Sequence, residues 1–240
     1  MTHPCRMVTP SQQDGYRRNG YLVVERVFGA AEIDSWNTEC DRLWASVHDD
    51  RRVQRRGVLA GGEIADRIDP VLDISPRLHA LAHGSPLVDL ASSVLGDAVT
   101  VFKAKLIAKR PGTLGYAMHQ DHPYWEFLGA PADAYLTVLV ALDAFDAANG
   151  ATEVFPGLHY ARVPAPADQP LDADESRMDA SAGVLIELQP GDIALFHSMV
   201  PHRSAPNRST QSRRGLFVTY LASRHRGLAE RYHRERIAPR

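Results

Sequence analysis

The sequence is short of cysteine, of unbalanced charge and of long apolar runs, and each shortage removes a class of protein. Only Cys5 and Cys40 carry thiols among 240 residues, so there is no disulfide framework and no zinc-finger spacing. The 27 Lys and Arg stand against 29 Asp and Glu, a formal net charge of −2, which leaves no electrostatic footprint for nucleic acid or an anionic membrane surface. No apolar stretch approaches the roughly 20 residues that cross a bilayer. Met1-Thr2-His3-Pro4-Cys5-Arg6 also lacks the apolar centre of a signal peptide. A cytoplasmic protein with no nucleic-acid or membrane partner is the expectation. What is present is ordinary for a globular chain: 44% hydrophobic residues, enough to bury a core over this length as one domain. Eleven histidines draw attention to metal, although the count identifies none of them.

The first 97 residues read as a mainly helical flank. Thr9-Pro10, Ser75-Pro76 and Ser85-Pro86 each set a capping hydroxyl before a proline at the first helical position, and Gly20 and Gly96 stand where helices stop. Ile33, Trp36, Cys40, Leu43 and Val47 recur at helical spacing and predict a helix over residues 32–47. Tyr21-Leu22-Val23-Val24 reads as a short strand. From residue 98 the character changes. Residues 98–109, 135–142, 184–188, 193–196 and 215–221 are rich in β-branched and aromatic types, and Pro-Gly and Asn-Gly turns separate them. Many short strands without interleaved helices predict a mainly β fold with flanking helices, its core a double-stranded jelly roll over 98–223. Residues 48–66 and 161–183 read as long loops, either lids or plain surface. Residues 224–240 read as a basic stretch, a solvated helix or tail.

The sharpest local feature is Met118-His119-Gln120-Asp121-His122. Strand residues two apart share a face and lie roughly 7 Å apart, so His119 and Asp121 can converge on one ion. Two imidazoles and one carboxylate on one side of a borderline divalent metal leave positions open for other ligands. Taken alone, His-X-Asp serves equally as a surface histidine beside a solvated acid. Further along stands Val200-Pro201-His202-Arg203-Ser204, and eleven residues beyond His202 comes Arg213, heading an apolar strand.

In this order and spacing the pattern resembles the phytanoyl-CoA dioxygenase family of iron(II)- and 2-oxoglutarate-dependent oxygenases. Asp14-Gly15-Tyr16 through Val24, Lys105 through Gly112, Asn149-Gly150 and Phe155-Pro156-Gly157-Leu158-His159 are similar to family segments too, with Leu158 where a serine is usual. The resemblance implies His119, Asp121 and His202 as iron ligands. It implies Arg213 and Ser204 as partners of the distal carboxylate of 2-oxoglutarate, with O2 as the other co-substrate. Arg214 is the neighbouring rival of Arg213, and adjacent strand residues face opposite sides, so only one points inward. Lys105 and Gln120 are further candidates for co-substrate contact. Lys103 shares the strand face of Lys105, but equally fits a charged residue guarding an edge strand. Tyr124 and Trp125 are candidates for the substrate pocket. His122, His159 and His197 read as structural or as standing behind the ligands, and Arg51-Arg52 and Arg55-Arg56 as a solvated loop, with recognition of an anionic substrate group as the alternative.

The resemblance implies hydroxylation of an unactivated C–H with release of succinate and CO2. Asp121 favours oxygen insertion over halogenation, since a Gly or Ala there would open a site for halide. Desaturation, epoxidation or ring formation at the same site stand as alternatives. So do a non-catalytic metal-binding scaffold and a metal-dependent hydrolase or isomerase on a cupin-like barrel. The compact chain leaves little room for a CoA-binding insertion, so a small metabolite or natural-product intermediate is the expected substrate. Oligomeric state stays open.

Overall fold

The computed structural model describes residues 7–47 and 50–237, with side chains through Arg234. Met1 to Arg6 with Cys5, His48, and the end of the tail at Arg240, all of which entered the sequence reading, lie outside the described residues.

Local sequence explains the helical flank. Thr9 caps α1 (Pro10–Asn19): its hydroxyl accepts from the Gln12 amide at 3.2 Å, and the Gln12 side chain accepts from Thr9 N at 2.9 Å. Gly20 ends the helix at φ 79°, a left-handed turn that favours glycine. The expected strand follows as β1 (Tyr21–Val24), and α2 (Ala30–Ser46) matches the periodicity that predicts it. Ser75 caps α3 (Pro76–Ala82) as expected. For α4 (Ser85–Leu95) the expectation is one residue late. Gly84 is the cap and Ser85 is already helical, so no hydroxyl closes that end.

The loop expected over 48–66 is instead largely a β-hairpin, β2 (Val53–Gly57) and β3 (Glu63–Ile68). The remaining strands are β4 (Val99–Lys109), β5 (Tyr116–His119), β6 (Tyr135–Ala141), β7 (Thr152–Val154), β8 (Val184–Leu185), β9 (Ile193–His197), β10 (His202–Ser204) and β11 (Arg213–Ala222). They form a seven-stranded sheet, β1-β9-β6-β11-β4-β3-β2, and a four-stranded sheet, β5-β10-β7-β8, antiparallel throughout. This is the expected jelly-roll arrangement with flanking helices. The helical flank thus also supplies three strands, and β4 lies between β11 and β3 rather than at an edge.

Alternation along the large sheet sorts its side chains into two populations. Ala104, Leu106, Val138, Val140, Leu195, Leu216 and Val218 face the helices and join Leu87, Leu90 and Val94 of α4 in the main core. Each such Leu or Val contributes about 1.5–3 kcal/mol on full burial. The alternate positions face the second sheet. There Leu139, Ala194 and Phe196 pack with Val154. On the same side, by register, stand Lys105 opposite Phe217, Lys103 opposite Thr219, and Lys109 opposite Arg213. Gly215 belongs to this face because a side chain has no room: an added Cβ would lie 2.8 Å from both Leu139 and Phe145. A bulge leaves Phe102 without a partner on β11, and its ring turns to Trp125 and Tyr135, 5.2 Å from each.

Of the helix or tail expected after residue 223 the chain forms the helix, but one that docks rather than a solvated one. Helix α5 (Arg226–Ile237) packs Leu228, Ala229 and Tyr232 on the Phe102 cluster. Among the described residues no helix is long and apolar enough to cross a membrane.

Candidate metal centre and its two cavities

Antiparallel pairing of β5 with β10 sets His119 opposite His202, with ring centroids 4.2 Å apart. Asp121 arrives differently from the sequence expectation. The strand ends at His119, and Asp121 is in helical backbone (φ −71°, ψ −40°) opening a short 3-10 turn over His122–Tyr124. The turn, not the strand period, swings its carboxylate to 4.0 Å from His119 Nε2. One ligand atom from each of His119, Asp121 and His202 lies within 4.8 Å of the others.

The surroundings fix how these groups present themselves. His119 Nδ1 meets Ala117 O at 2.8 Å and His202 Nδ1 meets Val200 O at 3.0 Å. A proton on each Nδ1 leaves both Nε2 lone pairs facing the centre. Thr137 Oγ1 donates to Asp121 at 3.1 Å, and Thr219 stands 3.1 Å behind it. Burial, joined by the nearby His202 charge, holds His119 well below its ordinary pKa. Burial alone would raise Asp121, but His202, Lys105 and His119 outweigh it and keep the carboxyl ionised. Two imidazole Nε2 atoms beside a carboxylate are a donor set for a borderline divalent cation.

Two cavities meet at the triad. The inner one is a slot of about 40 Å³ whose lining includes Ser204, Arg213, Phe217 and Lys105. Arg213 is 2% exposed, its guanidinium 4.1 Å over the Phe145 ring, and its Nε and Nη1 have no hydrogen-bond partner. Beside it Lys109, 0% exposed, donates to Ser204 Oγ at 2.8 Å and to the carbonyls of Gly150 and Ala205. Burial pushes Lys109 down to about 7, with the Arg213 charge adding to it. Burial also pulls Arg213 down to about 10. Two buried cations and a hydroxyl with no carboxylate among them describe a receptor for one. Arg214 points the other way and is fully paired, with Asp143 at 2.8 Å and Asp41 at 2.9 Å.

The outer cavity, about 800 Å³, is lined by Arg56, Arg67, Lys103 and Lys105 together with Tyr124, Trp125, Phe127, Asp172 and Tyr232. Arg56 pairs with the buried Asp66 at 3.0 Å and lies 3.5 Å over the Tyr116 ring, whose hydroxyl donates to the same carboxylate at 2.9 Å. Lys103 stands 3.7 Å from Asp69. Lys105 lines both cavities. Burial pushes it down to about 8, against the opposing pull of Asp121.

Gln120 does not join the site. It is 2% exposed and alternates away from His119, and its amide donates to Ala161 O and Met199 O while accepting from Val163 N. Its role is to tie down the start of the 161–183 segment, which lies along β5: Ala173 N donates to Met118 O at 2.8 Å, and Asp172 bridges His119. His122, His159 and His197 stand outside the triad as expected, their ring nitrogens engaged by Ala130 O, Arg17 O and Met199 N. Sequence reasoning passed over Lys109, Arg67 and Thr137. A signal existed for Lys109, which shares the odd-numbered face of Lys103 and Lys105.

Facing sheets, a two-histidine-one-carboxylate triad and a buried unpaired arginine beside it define the class of iron- and 2-oxoglutarate-dependent dioxygenases. The chain belongs to the phytanoyl-CoA dioxygenase family, whose model matches residues 16–215. Among characterised proteins it is similar to the methylphosphonate hydroxylase of Gimesia maris, 29% identical over 95% of this chain and 86% of the relative. It is also similar to a 2-aminoethylphosphonate dioxygenase of an uncultured bacterium, 26% identical over 88% and 81%. The fold matches that of EctD from S. alaskensis, solved with 2-oxoglutarate and 5-hydroxyectoine, at a TM-score of 0.78 and 24% identity, covering 91% of this chain and 77% of that one. The cofactor is iron, and 2-oxoglutarate is the co-substrate.

Proposed function

We propose that the protein hydroxylates an unactivated C–H of a small metabolite, with His119, Asp121 and His202 holding iron(II) and Arg213, Ser204 and Lys109 receiving the distal carboxylate of 2-oxoglutarate. The observation that carries this reading is the Arg213 guanidinium: buried, with two unpaired nitrogens, in the slot that ends at the triad. An arginine left so costs several kcal/mol unless an anion meets it, and a five-carbon diacid held between the triad and the slot would supply one. When bound, iron with 2-oxoglutarate and O2 would supply the oxidising power, one oxygen atom ending in succinate as CO2 is lost and the other in the substrate. The protein's share is to fix that geometry. Ala117 O and Val200 O set the imidazole tautomers, Thr137 aims the Asp121 carboxylate, and Phe196 and Phe217 exclude water from the inner slot. Asp121 occupies the position a halide would need, which favours hydroxylation over halogenation. The relatives named as a methylphosphonate hydroxylase and a 2-aminoethylphosphonate dioxygenase support a small substrate.

The test is succinate release dependent on both O2 and iron. Asp121→Ala abolishes it, and full retained turnover refutes the ligand set. Arg213→Ala chiefly raises the KM for 2-oxoglutarate, whereas Arg214→Ala does not. The reverse pattern means that the co-substrate site is assigned to the wrong arginine.

A further inference from the structure

We propose that the substrate carries a phosphorus oxyanion, a phosphonate or a phosphate monoester, and that it docks on Arg67, Lys103 and Lys105 in the outer cavity. This rests on the oxygenase reading above and adds to it the chemistry of the substrate.

The placement follows from two strands. On β3 and β4 the even-numbered Ile68, Ala104 and Leu106 are taken by the main core. The odd-numbered Arg67, Lys103 and Lys105 therefore share the opposite face, where all three line the cavity. Arg67 pairs in register with Ile107, which makes it a diagonal neighbour of Lys105, within mutual reach for long side chains.

Ion pairing then leaves two cations over. Arg56 is offset by Asp66 and Lys103 by Asp69, while Asp121 belongs to the metal. Asp172 lines the same cavity, 3.5 Å from the Tyr124 hydroxyl. Among the described residues neither Arg67 nor Lys105 has a carboxylate within ion-pair distance. Arg67 donates only to Gln54 Oε1, and its Nε is buried with no partner. Two cations without an ion pair on one wall favour a ligand that can carry more than one negative charge. A carboxylate brings one and leaves a cation unpaired. A phosphonate or phosphate monoester brings between one and two at neutral pH, and the cations beside it favour the second, on oxygens that suit the arginine fork. 2-Oxoglutarate does not account for Arg67 and Lys103, which line only this cavity, since its distal carboxylate has a separate receptor at Arg213, which with Ser204 lines the inner slot.

Calorimetry without O2, on protein holding iron(II) and saturated with 2-oxoglutarate, tests this with three probes that differ only in the head group: methylphosphonate, methyl phosphate and acetate. Saturation closes the Arg213 site to them. The expected result is binding of one or both phosphorus probes at millimolar concentration or below, with acetate at least about tenfold weaker, or ~1.4 kcal/mol. Whichever phosphorus probe binds more tightly identifies the source. Arg67→Gln weakens the better probe by about tenfold or more, and Lys103→Gln examines the same wall independently should the first variant fail to fold. Acetate binding as well as the others, no binding of either phosphorus probe, or full affinity in the folded variants overturns the proposal. Titration of 2-oxoglutarate alone separates the two readings: if it binds and the phosphorus probes do not, the oxygenase assignment stands and the oxyanion does not.

Discussion

Thr137 shows how much a single side chain decides at this centre. It sits in β6, a strand whose seven residues are all buried, and its hydroxyl is shared between Asp121 and Thr219. Without that donor the carboxylate is free to turn away from the two imidazoles. Thr137→Val keeps the shape and the β-branched preference for strand but removes the donor, so iron(II) affinity falls by about ten- to a hundredfold, the usual effect of losing an outer-shell partner. Competition with a coloured chelator measures this, and undiminished affinity means that the hydroxyl does not orient Asp121. The proposed ligands were legible in the sequence, because His119, Asp121 and His202, with Arg213 beyond them, stand in short motifs at fixed spacing. Thr137 was not, because its partner lies sixteen residues away and on another element. A lone threonine in an otherwise apolar buried run was the signal available.

At the scale of elements, apolar strands and capped helices could be read, and polar elements could not. The hairpin β2–β3 escaped notice because its inward face lines a charged cavity. Its sequence shows arginines where a core strand would show valines. The docking of helix α5 escaped for a related reason: only Leu228, Ala229 and Tyr232 mark its buried face amid charged residues. Those three nonetheless close the cluster of Phe102, Trp125, Tyr135 and Leu221, and Tyr232 reaches the outer cavity. Ala229 is 6% exposed, so a carboxylate there enters apolar surroundings without a partner. Ala229→Asp therefore lowers stability by about 2–4 kcal/mol, read as a fall in the urea midpoint. A solvated tail would tolerate the same change within about 0.5 kcal/mol, so an unmoved midpoint means that α5 does not dock.

For the whole molecule, a net charge of −2 conceals a strong segregation: the inner face of the large sheet gathers cations while most acids stay outside. This arrangement costs stability until ligands arrive, and pH exposes the cost. Lys109 is pulled from 10.5 to about 7 in the folded protein, first by burial and then by Arg213. Below that value both the native and the unfolded chain hold the proton, and the native state bears the full penalty. From about 7 toward 10.5 the native lysine has shed its proton while the unfolded chain keeps it. For this group the unfolded state then binds more protons, so its contribution to stability rises with pH across the window, at up to about 1.4 kcal/mol per pH unit. Lys105, lowered to about 8 chiefly by burial, adds to the same slope. In ligand-free protein Lys109→Met removes about one proton's worth of it, measured by urea unfolding at a series of pH values. Saturating 2-oxoglutarate also flattens the wild-type slope, because a carboxylate beside Lys109 restores its proton in the native state. An unchanged slope in both experiments would mean that Lys109 keeps its charge in the folded chain and does not belong to the receptor for the acid.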